Sequence, residues 1–230
     1  MTDAVLRQSY LACRALTWRA AKNFRYAFLT LSRDRYDAMC ALYAFMRVAD
    51  DCSDDESQSL PARRAAVLNW GNALSAGLAG APTGPLMPAI CDTIQRYQIP
   101  EQYFRDVLIG VARDLDPVAL QTQAAIDDYC YHVAGAVGLC CLHIWGFHDP
   151  AAIPLGIECG LAVQLTNILR DVGEDFALGR IYLPAEDFAR FGYTTDDLMQ
   201  QRCDDRFRTL MKHQADRAQA AYDHSAALLP

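Results

Sequence analysis

Apolar residues recur three and four positions apart through almost the whole of this chain, and that spacing restricts it to helices. Met39, Leu42, Tyr43, Met46 and Val48–Ala49 form one such stripe. Leu161, Leu165, Ile168, Leu169 and Val172 form another. Residue usage agrees: 36 Ala and 26 Leu stand against 10 Val and 10 Ile, a ratio that favours helix over sheet. No segment alternates at strand period, and neither an Asn-Gly nor an Asp-Gly hairpin turn occurs. The sequence reads as an all-α protein.

Helical patterns are predicted over 3–21, 32–51, 60–78, 86–98, 100–114, 121–147, 153–175 and 195–227. Pro61 suits a first helical turn, and the run AGAPTGPLMP over 79–88 is the clearest loop. Residues 176–195, with Gly179, Pro184 and Gly192, read as irregular. No linker is rich enough in Gly, Ser or Pro to divide the chain, so a single domain over 1–230 is expected. The last helical pattern runs to Ala227 without a C-terminal cap.

Several function classes fall away on composition. Hydrophobic residues make up 52% of the chain, enough for a sizeable core. The net charge of −7 argues against a nucleic-acid partner but not against an anionic substrate, because bound metal or local arginines override net charge. The uncharged stretch Tyr129–Phe147 carries three Gly, two His and two Tyr, which is too polar for a spanning helix. The start, MTDAVLRQSY, has no signal-peptide pattern, and a cytoplasmic protein is expected. Nine cysteines with no C-x-x-C pair argue against a disulfide framework and against zinc. Most are expected to be small buried apolar residues, and His132 and His143 to be core or pocket-edge histidines.

Two acidic clusters carry the chemistry. In Arg47-Val-Ala-Asp50-Asp51-Cys-Ser-Asp54-Asp55, Arg47, Asp50 and Asp54 share one helical face. Asp50 and Asp54 repel at that spacing, and a divalent cation would relieve them. In the second cluster, Gln164, Asn167, Asp171 and Asp175 project from one face of an otherwise apolar helix. Each cluster alone also reads as a solvated acidic face. Together, two oxygen-rich stripes on separate helices fit a set of Mg²⁺ ions binding a diphosphate. Lys22, Arg47, Arg170, Arg180 and Tyr182 are the basic and phenolic groups suited to the phosphates. A carbocation released from such a diphosphate needs a dry apolar pocket. Tyr129 and Phe24 offer ring faces to it, and Gly135 and Gly138 leave room or, equally, allow tight helix packing.

Four segments resemble the squalene/phytoene synthase family: KNFRYAF (22–28), ALYAFMRVADDCSDD (41–55), YCYHVAGAVGL (129–139) and QLTNILRDVGEDFALGRIYLP (164–184). Asn23 stands where relatives usually carry Ser. The resemblance implies an isoprenoid synthase fold, a helical bundle around a central pocket, here without the C-terminal helices usual in the family. It implies Mg²⁺-dependent head-to-head condensation of two prenyl diphosphates through a cyclopropyl diphosphate, with NADPH needed if the reaction continues to squalene. It places Asp50, Asp54, Asn167, Asp171 and Asp175 at the metal, with Asp51 beside them. Lys22, Arg47, Arg170, Arg180 and Tyr182 fall on the diphosphate side. Tyr43, Phe24, Tyr129, Val133, Val137, Gly138 and Gln164 fall at the pocket, where Tyr43 and Tyr129 serve proton handling or cation stabilisation. A loose likeness of GLCCLHIWGF (138–147) to bacterial squalene-type members leans the expectation toward two C15 farnesyl diphosphates. The alternatives are a phytoene synthase joining two C20 geranylgeranyl diphosphates and a non-catalytic helical relative. Greasy substrates make peripheral membrane contact an expected partner.

Overall fold

A computed structural model describes residues 2–21, 24–116 and 118–229. Lys22, one of the expected phosphate contacts, lies outside them. The described residues form helices α1 (Asp3–Ala20), α2 (Phe24–Phe28), α3 (Arg33–Asp54), α4 (Leu60–Leu78), α5 (Met87–Arg96), α6 (Glu101–Arg113), α7 (Gln123–Cys130), α8 (Ala136–Trp145), α9 (Ala152–Ala177), α10 (Ala185–Phe191), α11 (Thr195–Met199) and α12 (Asp205–Ser225). A π-helical turn, Tyr131–Gly135, joins α7 to α8. Among the described residues no strand forms, and one isolated bridge pairs Ala119 with Ile181. The all-α expectation holds.

The chain divides into two compact units. The first comprises 1–115 with 140–148, and the second 116–139 with 149–230. In the first, α3 is the central helix. Ala38, Met39, Cys40, Ala41, Leu42, Ala44, Phe45 and Ala49 are buried along it. Phe45 meets Phe104 of α6 edge-on at 4.9 Å and stacks on Trp70 of α4 at 5.5 Å. The Trp70 indole N–H also donates to the Phe45 carbonyl at 3.2 Å. Aromatic pairs of this kind add to the area they bury, so the rotation of α3 is fixed and one polar face is left outward.

In the second unit α9 packs along α12. Leu165 and Ile168 enter a core with Ile126, Tyr129, Tyr182, Phe188 and Leu210. By length and hydropathy alone α9 is long and apolar enough to cross a membrane. A bundle helix meets the same test, and this one is paired with α12 and carries an acidic C-terminal half. Five of the nine cysteines are buried, all are free, and only Cys203 is fully exposed. His143 contacts the Tyr97 carbonyl and lies edge-on to Tyr103 and Phe147, as a core histidine would.

The helical pattern needs correction at four places. The segment expected as one helix over 121–147 is interrupted by the π turn. There the His132 Nδ1–H donates to the Asp128 carbonyl four residues back at 2.7 Å, taking an acceptor that the helix ladder also uses. The expected terminal helix over 195–227 is two helices. Thr194 and Asp197 form a capping box, Gln201 turns the chain at φ 52°, and the Asp204 carboxylate caps α12 by accepting from the Arg206 and Phe207 amides. Short α10 and α2 form where no helix was expected, α10 being closed by Gly192 in the left-handed region.

A backbone-close helix approach lies inside the second unit. A Cβ on Gly160 would stand 2.6 Å from the Gly135 Cα, and one on Gly138 would stand 3.2 Å from the Gly156 carbonyl oxygen. Gly138 therefore serves helix packing, whatever else it serves. Overpacking at such a contact costs about 1–3 kcal/mol, so Gly160→Ala is expected to lower unfolding free energy by that amount in chemical denaturation. Gly173, on the same helix with nothing within 4 Å of a Cβ, is the control. Gly173→Ala should leave stability unchanged or raise it by up to about 1 kcal/mol.

Candidate active site

The first acidic cluster occupies the C-terminal third of α3, in the first unit. Tyr43, Arg47, Asp50 and Asp54 fall at successive turns of one face, and Asp51 stands beside them. Arg47 pairs with Asp51 one turn on at 2.5 Å. That bond raises the guanidinium pKa further. Asp50 touches solvent but is flanked by dense protein, and its carboxyl is raised to about 6. Desolvation is the largest cause, followed by the Asp54 charge, with Arg47 opposing and Asp51 and Asp114 adding to the rise. Burial likewise raises the Tyr43 phenol, opposed by Arg47. Ser53, buried under this turn, donates to the Asp50 carbonyl at 2.9 Å.

Asp114, just past the end of α6, is a member of this acidic neighbourhood that sequence reasoning missed. Only the fold brings it near Asp50, and its own segment carries no distinctive spacing.

The second cluster lies on α9, in the second unit. Gln164, Asn167, Asp171 and Asp175 are all half-buried on one face, as their spacing predicts. Arg170 is exposed and grips Asp171 through two bonds, Nε to Oδ1 at 2.7 Å and Nη2 to Oδ2 at 2.6 Å. The first consequence is a lowered Asp171 pKa, so this carboxylate is fully ionised at neutral pH. The Asp175 carbonyl closes the helix end by accepting from the Arg180 amide at 2.9 Å. The side chains of Asp175 and Arg180 line one recess with Ile168, Val172 and Tyr182.

Tyr182 stacks on Tyr129, ring centroids 4.8 Å apart, and both rings are buried in the second unit's core. Val133 sits in the π turn and packs against the same core, while Val137 opens α8 half-buried. Phe24, like Tyr129 an expected pocket residue, is an exposed residue of α2 in the first unit and stacks on Phe28 at 6.5 Å.

The donors in both clusters are oxygens, which suits a hard divalent cation. Among the described residues no three His, Cys, Asp or Glu side chains converge as a closed cage. That donor set fits an ion bound by one or two carboxylates that completes its shell with phosphate oxygens. Desolvation raises Asp50 most, and the Asp54 charge that adds to the rise is the kind of repulsion such an ion relieves.

The squalene/phytoene synthase family profile matches residues 18–230. The chain is 36% identical to the phytoene synthase of Arthrospira platensis, across 96% of this chain and 75% of that one. It is 37% identical to the 15-cis-phytoene synthase of Synechocystis, across 96% and 68%. Among solved structures it superposes on the squalene synthase HpnC of Alicyclobacillus acidocaldarius with TM-score 0.92 and 31% identity, covering 100% of this chain and 87% of that one. The chain belongs to the squalene/phytoene synthase family. A dehydrosqualene synthase solved with a ligand gives TM-score 0.88 at 32% identity, across 98% and 78%. The family joins prenyl diphosphates head to head, its members are prenyltransferases, and this chain is one of them.

The raised Asp50 carboxyl makes a prediction for the metal-free protein. The folded state keeps this proton to about pH 6, whereas the unfolded chain releases it near 3.8. Stability therefore falls as pH rises through that window. Thermal midpoints measured in chelator should show the decline, Asp50→Asn should flatten it, and an unchanged slope in the variant would contradict the assignment.

Proposed function

We propose that this prenyltransferase joins two C20 geranylgeranyl diphosphates, through a cyclopropyl diphosphate, to a phytoene-type C40 product. The observation that carries this reading is the identity of 36–37% to phytoene synthases across 96% of the chain. It reverses the lean toward two farnesyl diphosphates, which rested on the likeness of residues 138–147 alone. The C15 alternative keeps one specific support, the TM-score of 0.92 to a squalene synthase. NADPH belongs to that alternative, where the reaction runs on to squalene.

Each group then has a task. Asp50 and Asp54 on α3, and Asn167, Asp171 and Asp175 on α9, hold Mg²⁺ through oxygen. When bound, the ion acts as a Lewis acid on the leaving diphosphate. Arg47, Arg170, Arg180 and Lys22 donate to phosphate oxygens, with the forked guanidinium suited to two at once. Since Arg170 already occupies both oxygens of Asp171, it releases at least one when substrate arrives. The Tyr129–Tyr182 stack and Phe24 present ring faces to positive charge, and Tyr43, beside Arg47, is placed to move a proton. Val133, Val137, Gly138 and Gln164 form the wall for the prenyl chains. Exposed Trp18, Tyr26 and Leu29 support work at a membrane surface, where such substrates reside.

Mass spectrometry of products formed with Mg²⁺ from each prenyl diphosphate tests the reading. A C40 hydrocarbon from geranylgeranyl diphosphate is expected. Asp50→Asn and Asp171→Asn should each lower its rate by about a hundredfold or more, since each removes a metal-holding oxygen on a different helix. A C30 product from farnesyl diphosphate in place of C40 would move the chain to the squalene branch. Turnover of neither substrate would overturn the proposal.

A further inference from the structure

The carboxyl end of α3 is an unfavourable place for its own side chains. Asp50, Asp51, Asp54 and Asp55 crowd the last turn and cap, where the helix dipole is already negative, and no basic residue of α3 lies in that turn. The turn also ends with carbonyls that have no partner within the helix. A cation from the next helix meets one of them. Arg63 of α4 donates from Nη1 to the Ser53 carbonyl at 2.9 Å. Ser53 is itself buried, and its hydroxyl donates to the Asp50 carbonyl at 2.9 Å and reaches the Asp54 carboxylate at 3.4 Å. The chain of contacts thus runs from Arg63 through Ser53 to the backbone of Asp50 and the side chain of Asp54.

Arg63 is held by more than its charge. Its Nε is buried and makes no hydrogen bond. Leaving a buried donor unmet costs free energy. Here the guanidinium is committed to the Ser53 carbonyl.

We propose that Arg63 is a positioning residue for the metal-holding end of α3. It caps the acidic turn with positive charge and fixes, through Ser53, the relative placement of Asp50 and Asp54. The inference rests on the reading that these two aspartates hold a divalent cation. Arg63 touches neither substrate nor metal in this account. It sets how well two like charges are presented to one ion.

The test uses the full chain and two variants, Arg63→Met and Arg63→Lys. Helical circular dichroism and the thermal midpoint first establish that each folds. Binding of Mn²⁺ with inorganic pyrophosphate is then followed by electron paramagnetic resonance, a readout that needs no turnover. Loss of a partner that orients a metal ligand typically weakens binding about 10–100-fold. Arg63→Met is expected to weaken Mn²⁺ binding at least about tenfold, and Arg63→Lys, which keeps a cation that can cap the carbonyl, to recover most of it. In turnover, the Mg²⁺ concentration for half-maximal rate should rise in step, while the prenyl diphosphate KM at saturating Mg²⁺ stays within about twofold. Unchanged Mn²⁺ binding in a folded Arg63→Met would overturn the proposal. Equal losses of Mn²⁺ binding in Arg63→Met and Arg63→Lys, or a KM rise without a metal effect, would overturn it too. Wild-type protein that binds Mn²⁺ and pyrophosphate but turns over no prenyl diphosphate would sink the functional reading while leaving Arg63 open to the same binding comparison. Wild-type protein that binds no Mn²⁺ would sink both.

Discussion

Like charges held close together on α3 are the constraint on which the site depends. Asp50 and Asp54 are one turn apart, Asp51 lies between them in sequence, and the helix ends just beyond. Repulsion and the helix dipole both work against this arrangement. It persists because α3 is fixed from the other side, by Phe45 locked between Trp70 and Phe104. Arg47 holds Asp51, and Arg63 holds the Ser53 carbonyl. The unit thus keeps these carboxylates in place by packing, and the raised Asp50 carboxyl reflects desolvation first and the Asp54 charge second.

The second unit meets the same requirement differently. Asp171 is neutralised by its own neighbour, Arg170, and its carboxylate is stabilised rather than strained. Behind it, α9 is fixed by backbone-close packing at Gly160 and by the Tyr129–Tyr182 stack. Behind those, a polar network ties α12 to α7 and α10. Buried Gln214 donates to Asp187 and Gln123, and Arg217 reaches Asp127, two residues before Tyr129. Rigid support behind a functional face is what a reaction through a carbocation requires, since misplacement admits water.

Much of this was legible in the sequence because helices report their faces through spacing. Spacing gives the helix over 60–78 to the residue and puts Arg47, Asp50 and Asp54 on one face, as α3 holds them; Tyr43, which reads as part of the apolar stripe, joins that face in the structure. Spacing does the same for Gln164, Asn167, Asp171 and Asp175 on α9. What spacing does not carry is tertiary contact. Arg63 lies on α4 and Asp114 just past α6, and nothing in their own segments marks them. The π turn coincides with a side chain that takes a backbone acceptor, and the break before α12 with the Asp204 cap, a signal present in the sequence but overridden there by the apolar period. Gly138 could be read as pocket or as packing until the Gly156 carbonyl was found against it. Substrate length has the weakest warrant, a likeness of ten residues, and identity along nearly the whole chain favours the C20 alternative.

The central claim is that the oxygens of both acidic stripes serve one metal-dependent diphosphate reaction. Anomalous diffraction from crystals grown with Mn²⁺ and a non-reactive thiodiphosphate analogue of geranylgeranyl diphosphate tests it most directly. The account predicts Mn²⁺ peaks within coordination distance of Asp50 or Asp54, and others within that distance of Asn167, Asp171 or Asp175, each also touching a phosphate oxygen. Metal bound only by the analogue, or at one stripe with the other untouched, would contradict it.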